Sequence, residues 1–170
     1  MNKLFLWMAF LIFLAAGDFA QQGVPLFVIE RNTNSNRVYY EARIGTDSLL
    51  DLKQPLRAYW IMWEKDPSGK TREELTLLEK EKAYGFKVKQ GQSRTCSWFS
   101  IAPLPDRPIK VSVHNGNATA EAVIDGKYSV LKRVSVNAGQ RHFLPHVNYV
   151  ELFGTDSKSG EDTYEKIANK

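Results

Sequence analysis

The stretch IKVSVHNGNATAEAVIDGKYSVLKRVSV, residues 109–136, decides the fold class. Asn115-Gly116 and Asp125-Gly126 each divide runs in which apolar and polar residues alternate. Both dipeptides favour the two-residue turns that join antiparallel strands, because Asn, Asp and Gly tolerate the positive φ those turns require. The stretch therefore reads as a meander of three strands, Ile109 to His114, Asn117 to Ile124 and Lys127 to Val136.

The same punctuation extends outward. Strands are expected at Val24 to Ile29, at Val38 to Ile44, at Phe86 to Lys89, at Cys96 to Ala102 and at Val147 to Phe153. In the second of these Val38, Tyr40, Ala42 and Ile44 alternate with Tyr39, Glu41 and Arg43, the pattern of a strand with one wet face. Leu56 to Trp63 is apolar on both sides and reads as a central strand. Pro103, Pro105 and Pro108 predict a stiff connection before Ile109. Asp66-Pro67-Ser68-Gly69 reads as a turn, and Thr71 with Glu74 three residues on predicts a capping box. The helix it starts would carry Leu75 and Leu78 on one face and stop at Gly85. The expected fold is an antiparallel all-β domain, a β-sandwich or flattened β-barrel of about eight strands with one short inserted helix.

Met1-Asn2-Lys3, the apolar run Leu4 to Leu14 and the small residues around Ala15 to Ala20 follow the order of a secretory signal. Residues 1–20 are expected to be a signal peptide, cut between Ala15 and Gln22. Residues 21–156 then form one domain and 157–170 a loosely held polar tail. The run is short for a transmembrane helix and no cysteine stands near the cut for lipid attachment, so the mature chain is expected in the periplasm or outside the cell, with no transmembrane segment. Lys and Arg number 23 against 19 Asp and Glu, and this excess is scattered, which argues against a nucleic-acid partner. Cys96 is the sole cysteine, so no intramolecular disulfide forms, and it reads as an inert buried thiol beside Trp98.

Catalytic signals are sparse. Gly69-Lys70-Thr71 is spaced like the end of a phosphate-binding loop, but Glu64 stands where the first glycine is required, and a turn is the better reading. His142 and His146 flank Pro145, which spoils a helical pair of metal ligands, and His114 precedes a hairpin turn. Neither G-x-S-x-G nor H-E-x-x-H occurs, and no cofactor or metal is expected.

The most unusual segment is Glu30-Arg31-Asn32-Thr33-Asn34-Ser35-Asn36. It reads either as a long turn or as a polar recognition loop in which Glu30, Arg31, Asn32 and Asn34 meet a ligand. Tyr59, Trp60, Trp63 and Trp98 are either core aromatics or the lining of a pocket. Lys132 and Glu151 are charges on otherwise apolar strand faces. With Val136 opposite Val147, Lys132 would face Glu151 and Leu131 would face Leu152; a bulge that turns Lys132 to solvent is the alternative.

Phe27 to Asn32, Asn34, Asn36, Val38 and Tyr40, Pro55 to Trp60, Glu74-Leu75-Thr76 and Ala83-Tyr84-Gly85 together resemble a set of exported bacterial proteins, the domain of unknown function 4833. The resemblance implies a single exported domain from Val24 to about Gly154 and no reaction, ligand or catalytic residue. The expected function is a non-enzymatic binding module for a small molecule, a glycan or an envelope protein. The alternatives are a hydrolase or lyase that uses Glu30, Arg31 and a tyrosine, and an envelope structural protein that lends a strand to a partner.

Overall fold

The computed structural model describes residues 22–89, 93–141 and 144–168. Among them the alternating pattern resolves into eleven strands: β1 (Gln22–Arg31), β2 (Asn34–Ile44), β3 (Leu56–Ile61), β4 (Arg72–Glu74), β5 (Phe86–Val88), β6 (Cys96–Ile101), β7 (Leu104–His114), β8 (Asn117–Ile124), β9 (Lys127–Arg141), β10 (Leu144–Asp156) and β11 (Asp162–Ala168). One short helix, α1 (Leu77–Lys82), lies between β4 and β5. The main sheet runs β4-β3-β2-β1-β9-β8-β7-β6-β5, with β10 paired to β9 and β11 to β10. The mostly-β expectation holds, with eleven strands in place of about eight.

The meander forms as read. Asn115 and Gly116 have φ of 50° and 75°, Asp125 and Gly126 of 47° and 75°, the two successive positive values of a type I′ turn. Leu56 to Ile61 is a central strand between β2 and β4, buried on both faces but for Arg57, and it ends before Trp63. One pairing departs from an antiparallel fold: β1 runs parallel to β9, Val28 opposite Arg133 and Arg31 opposite Val136.

β9 organises the molecule. Its first residues pair with β8, Val130 opposite Glu121, whereas residues 133–136 pair with β1. Between these stretches the buried positions change phase, from Ser129 and Leu131 to Val134 and Val136. The register with β10 slips at the same place, Phe153 facing Arg133 and Gly154 facing Leu131. Lys132 is the extra residue of this bulge. The facing pair expected from the sequence is thereby corrected. Val136 meets Val150 rather than Val147, Leu152 meets Val134 rather than Leu131, and Glu151 lies opposite Ser135. Lys132 is turned to solvent, 3.7 Å from exposed Asp162.

The wing β4-β3-β2-β1 faces the wing β8-β7-β6-β5 across the core. Phe27 stacks on Tyr40 at 4.5 Å and on Phe99, from the opposite wing, at 6.3 Å. Ile29, Val38, Ile109, Val111, Ile124 and Leu131 are among the residues that fill the space between.

Three other expectations are corrected. Pro105 and Pro108 lie within β7, which starts at Leu104. Ser157 to Lys170 is not a loose tail up to Ala168, because β11 pairs with β10 from Asp162 to Ala168. Cys96 is half-buried rather than buried.

The helix starts later than Thr71. Asp66 accepts the Thr71 backbone N–H at 2.9 Å and its hydroxyl at 2.7 Å, so Thr71 closes the preceding turn and residues 72–74 extend as β4. A second box cap lies five residues on. The Thr76 hydroxyl accepts from Glu79 N, and the Glu79 carboxylate accepts from Thr76 N at 2.8 Å. No residue of α1 is buried; Leu75 and Tyr84 on its flanks anchor it, and Leu77 and Leu78 are exposed. Thr76→Ala is expected to cost about 0.5–2 kcal/mol. A urea midpoint that falls more for Thr71→Ala than for Thr76→Ala would contradict this assignment of the cap.

Candidate functional site

Successive residues of a strand point to opposite faces, and the last two of β1 are divided in this way. Glu30 takes the outer face, where its carboxylate accepts from Arg37 Nε at 2.9 Å and from Arg133 Nη1 at 3.1 Å. Arg31 takes the inner face. Its guanidinium lies 4.9 Å from the Trp60 ring centroid and 5.6 Å from that of Tyr84, within cation–π range of both. Its Nε is buried without a hydrogen-bond partner, and among the described residues it forms no ion pair.

Glu79 is nearby but committed. Its Oε1 accepts from Trp60 Nε1 at 3.0 Å, and its Oε2 accepts from the Thr76 N–H and, at 2.9 Å, the Thr76 hydroxyl. Burial alone would raise this carboxyl, but the Thr76 and Trp60 donors and the field of Arg31 outweigh it and hold Glu79 below the usual carboxylate range. Burial raises the Tyr84 hydroxyl; Arg31 opposes this by its charge and by a side-chain hydrogen bond, and Glu79 adds to it. The Tyr84 carbonyl accepts from the Tyr40 hydroxyl, which burial, and then the field of Tyr84, push far above its ordinary value. These bonds fix the segment after α1 against β2 and β3.

A cavity of about 1160 Å³ opens beside Arg31. Thr33 and Arg31 form one side, and Leu78, Glu79, Lys82 and Tyr84 bring α1 over it. The β6–β7 corner supplies Ala102 to Pro105, β9 supplies Val136, Ala138 and Gly139, β10 supplies His146, Val147 and Val150, and β11 supplies Ile167. The wall is mainly apolar, with few polar groups, the common make-up of a small-molecule site.

Of the ligand-binding candidates Glu30, Arg31, Asn32, Asn34, Tyr59, Trp63, Lys132 and Glu151, Arg31 alone lines this cavity. The segment Glu30 to Asn36 is a tight hairpin, in which Asn32 Oδ1 accepts from Ala138 N at 2.9 Å and Asn34 Oδ1 is buried without a partner. Asn36 is buried and exchanges hydrogen bonds with Glu64, donating from Nδ2 at 3.2 Å and accepting from Glu64 N at 3.0 Å. Tyr59 points away from Trp60, stacking on Tyr39 at 6.2 Å beneath Arg72 at 4.6 Å. Burial, followed by Glu41, raises its hydroxyl. Trp63 has a buried Nε1 without a partner and packs its ring against Gly69, while Trp98 is half-buried on β6. Neither lines the cavity. Glu151 accepts from the Tyr164 hydroxyl at 2.7 Å.

Glu79 and Tyr84 are not among the sequence candidates; Thr33 enters there only as part of the Glu30 to Asn36 segment, and His146 only as a rejected metal ligand. Thr76-x-x-Glu79 is a capping box as legible as the one at Thr71, and it would have pointed to Glu79. His146 lies within β10 rather than in a connecting loop, and His142 lies outside the described residues. The expectation that no S-x-x-K spacing occurs is corrected by Ser129, which stands three residues before Lys132, a spacing used by some acyl-transfer enzymes. Here Ser129 is buried and donates to the Lys127 carbonyl at 3.2 Å, while Lys132 is exposed. Among the described residues no group of His, Cys, Asp and Glu is placed to hold a metal ion, and no helix is long and apolar enough to cross a membrane.

A family model described as Domain of unknown function (DUF4833) matches residues 27–166. No curated protein and no solved structure matches the chain.

Proposed function

We propose that this chain, which belongs to the family described as Domain of unknown function (DUF4833), is an exported binding module without an enzymatic role, its ligand held in the cavity beside Arg31. In this reading the curled sheet is a flattened barrel left open at the end where α1 crosses it. The order of basic, apolar and small residues at positions 1–20 supports export to the periplasm or beyond. The cavity with a cation in its wall carries the reading. A mainly apolar space of this size suits the apolar body of a ligand, and Arg31 offers a charged group to orient it. Binding is favoured over catalysis by the engagement of Glu79, both of whose oxygens are taken up by Thr76 and Trp60.

The neutral fluorophore N-phenyl-naphthylamine tests the cavity. It is expected to brighten on the purified protein and to lose that signal in Ala138→Trp, which projects an indole into the space, while the thermal transition is nearly kept. Ala102→Trp, at a lining position on the β6–β7 corner, is expected to act alike. Undiminished dye binding by both folded variants would place the dye elsewhere and remove the support for this reading.

A further inference from the structure

We propose that the cavity ligand is an amphipathic monocarboxylate, its carboxylate on the Arg31 fork and its alkyl body against Val136, Val147, Val150, Leu104 and Ile167. This inference rests on the binding reading above and adds to it the chemical class of the ligand.

Arg31 is a cation without a counter-ion among the described residues. A half-buried guanidinium has given up part of its hydration and ordinarily regains it from a carboxylate. Arg31 has instead the aromatic faces of Trp60 and Tyr84 and the Tyr84 hydroxyl, none of which carries a negative charge. With Nε sealed in the wall, the terminal nitrogens carry the donors that remain for the cavity. Two parallel N–H donors on a planar fork match the two oxygens of a carboxylate.

The charge of the surroundings limits the head group to one negative charge. Glu79 is ionised close by, and its oxygens are committed to Thr76 and Trp60, so it balances part of the field of Arg31 without occupying the fork. A dianionic phosphate would meet that carboxylate as a like charge. Tyr84 lies beside Arg31 in the cavity wall, and Lys82, which also lines the cavity, is paired with Glu81 at 2.6 Å. Apart from His146, the lining contributed by β9, β10 and β11 is apolar. A ligand charged at one end and apolar along its length satisfies both parts, whereas a sugar would leave its hydroxyls against valine and leucine without partners.

Displacement of N-phenyl-naphthylamine by decanoate, decanol and decyltrimethylammonium, each below its aggregation concentration, tests the head group. Decanoate is expected to displace the dye at a concentration about tenfold lower than decanol or the ammonium, the scale of one charge-assisted hydrogen-bonded pair. Arg31→Met is expected to abolish that preference while decanol displaces as before; Arg31→Lys is expected to keep part of it. Arg31→Gln replaces the methionine variant if the latter does not fold. Equal displacement by decanoate and decanol from the unaltered protein, or a preference that survives Arg31→Met, overturns the head-group assignment and leaves the cavity reading standing. Failure of all three compounds to displace a dye that Ala138→Trp also fails to exclude overturns both.

Discussion

Phe99→Ala is expected to lower the free energy of unfolding by about 3–5 kcal/mol, the range found when a buried aromatic ring is truncated and the space is only partly refilled. Phe99 is fully buried on β6, stacked on Phe27 at 6.3 Å and edge-on to Phe86 at the same distance. Its ring meets Phe27 of the opposite wing, so its loss removes cross-core contact as well as area. Urea unfolding measures the effect. With a slope of about 1–3 kcal/mol per molar for a chain of this size, the midpoint is expected to move by more than a molar. A loss below about 1.5 kcal/mol would mean that the wings close over the gap, behaviour at odds with a ring held between two others.

Gly85→Ala is expected to damage stability and site together. A Cβ at position 85 would stand 2.6 Å from the carbonyl carbon of Lys80 and closer still to its oxygen, a clash with backbone that no rotamer relieves. The last turn of α1 must therefore move. Gly85 is tied on both sides: its carbonyl accepts from Ala102 N at 2.9 Å, and the carbonyl of Tyr84 before it accepts from the buried Tyr40 hydroxyl. Overpacking of this kind costs about 1–3 kcal/mol, and more where backbone hydrogen bonds break. Displacement of Tyr84 also uncovers Arg31, so loss of N-phenyl-naphthylamine binding is expected beside the lower urea midpoint. A variant with unchanged stability and dye binding would show that α1 does not form the cavity wall in solution.

What the sequence reveals is local. Asn115-Gly116 and Asp125-Gly126 name their turns because positive φ is a property of two residues, and the alternation in Val38 to Ile44 marks its faces for the same reason. What it conceals is set by distant partners. The bulge at Lys132 follows from β9 leaving β8 for β1, a choice made by a strand about a hundred residues earlier, and one slipped residue transfers the following side chains to the other face. Proline reads as a break at Pro105 and Pro108, yet both lie in β7 ahead of Lys110, where its pairing with β8 begins, so no N–H is needed from them there. The two threonine boxes shared one signature, and Asp66 decided between them by capturing Thr71. Arg31 was legible as unusual, but Trp60 and Tyr84 beneath it come from other parts of the chain, so the cavity was not.

The parallel seam between β1 and β9 also bears on how the molecule is born. Val28 finds its neighbour at Arg133, so the first strand to be synthesised is among the last to be locked in place. Closing so long a loop is entropically slow, and seams of this kind set folding times of milliseconds to seconds rather than microseconds. If the chain crosses a membrane N-terminus first, as the proposed export requires, Leu26 to Ile29 emerges as an apolar edge with nothing yet available to cover its far side. Its hairpin partner β2 follows at once and shields one side through the Asn32–Thr33 turn. The other waits for β9, an interval in which a periplasmic holdase, or a second nascent copy, has its opportunity to bind.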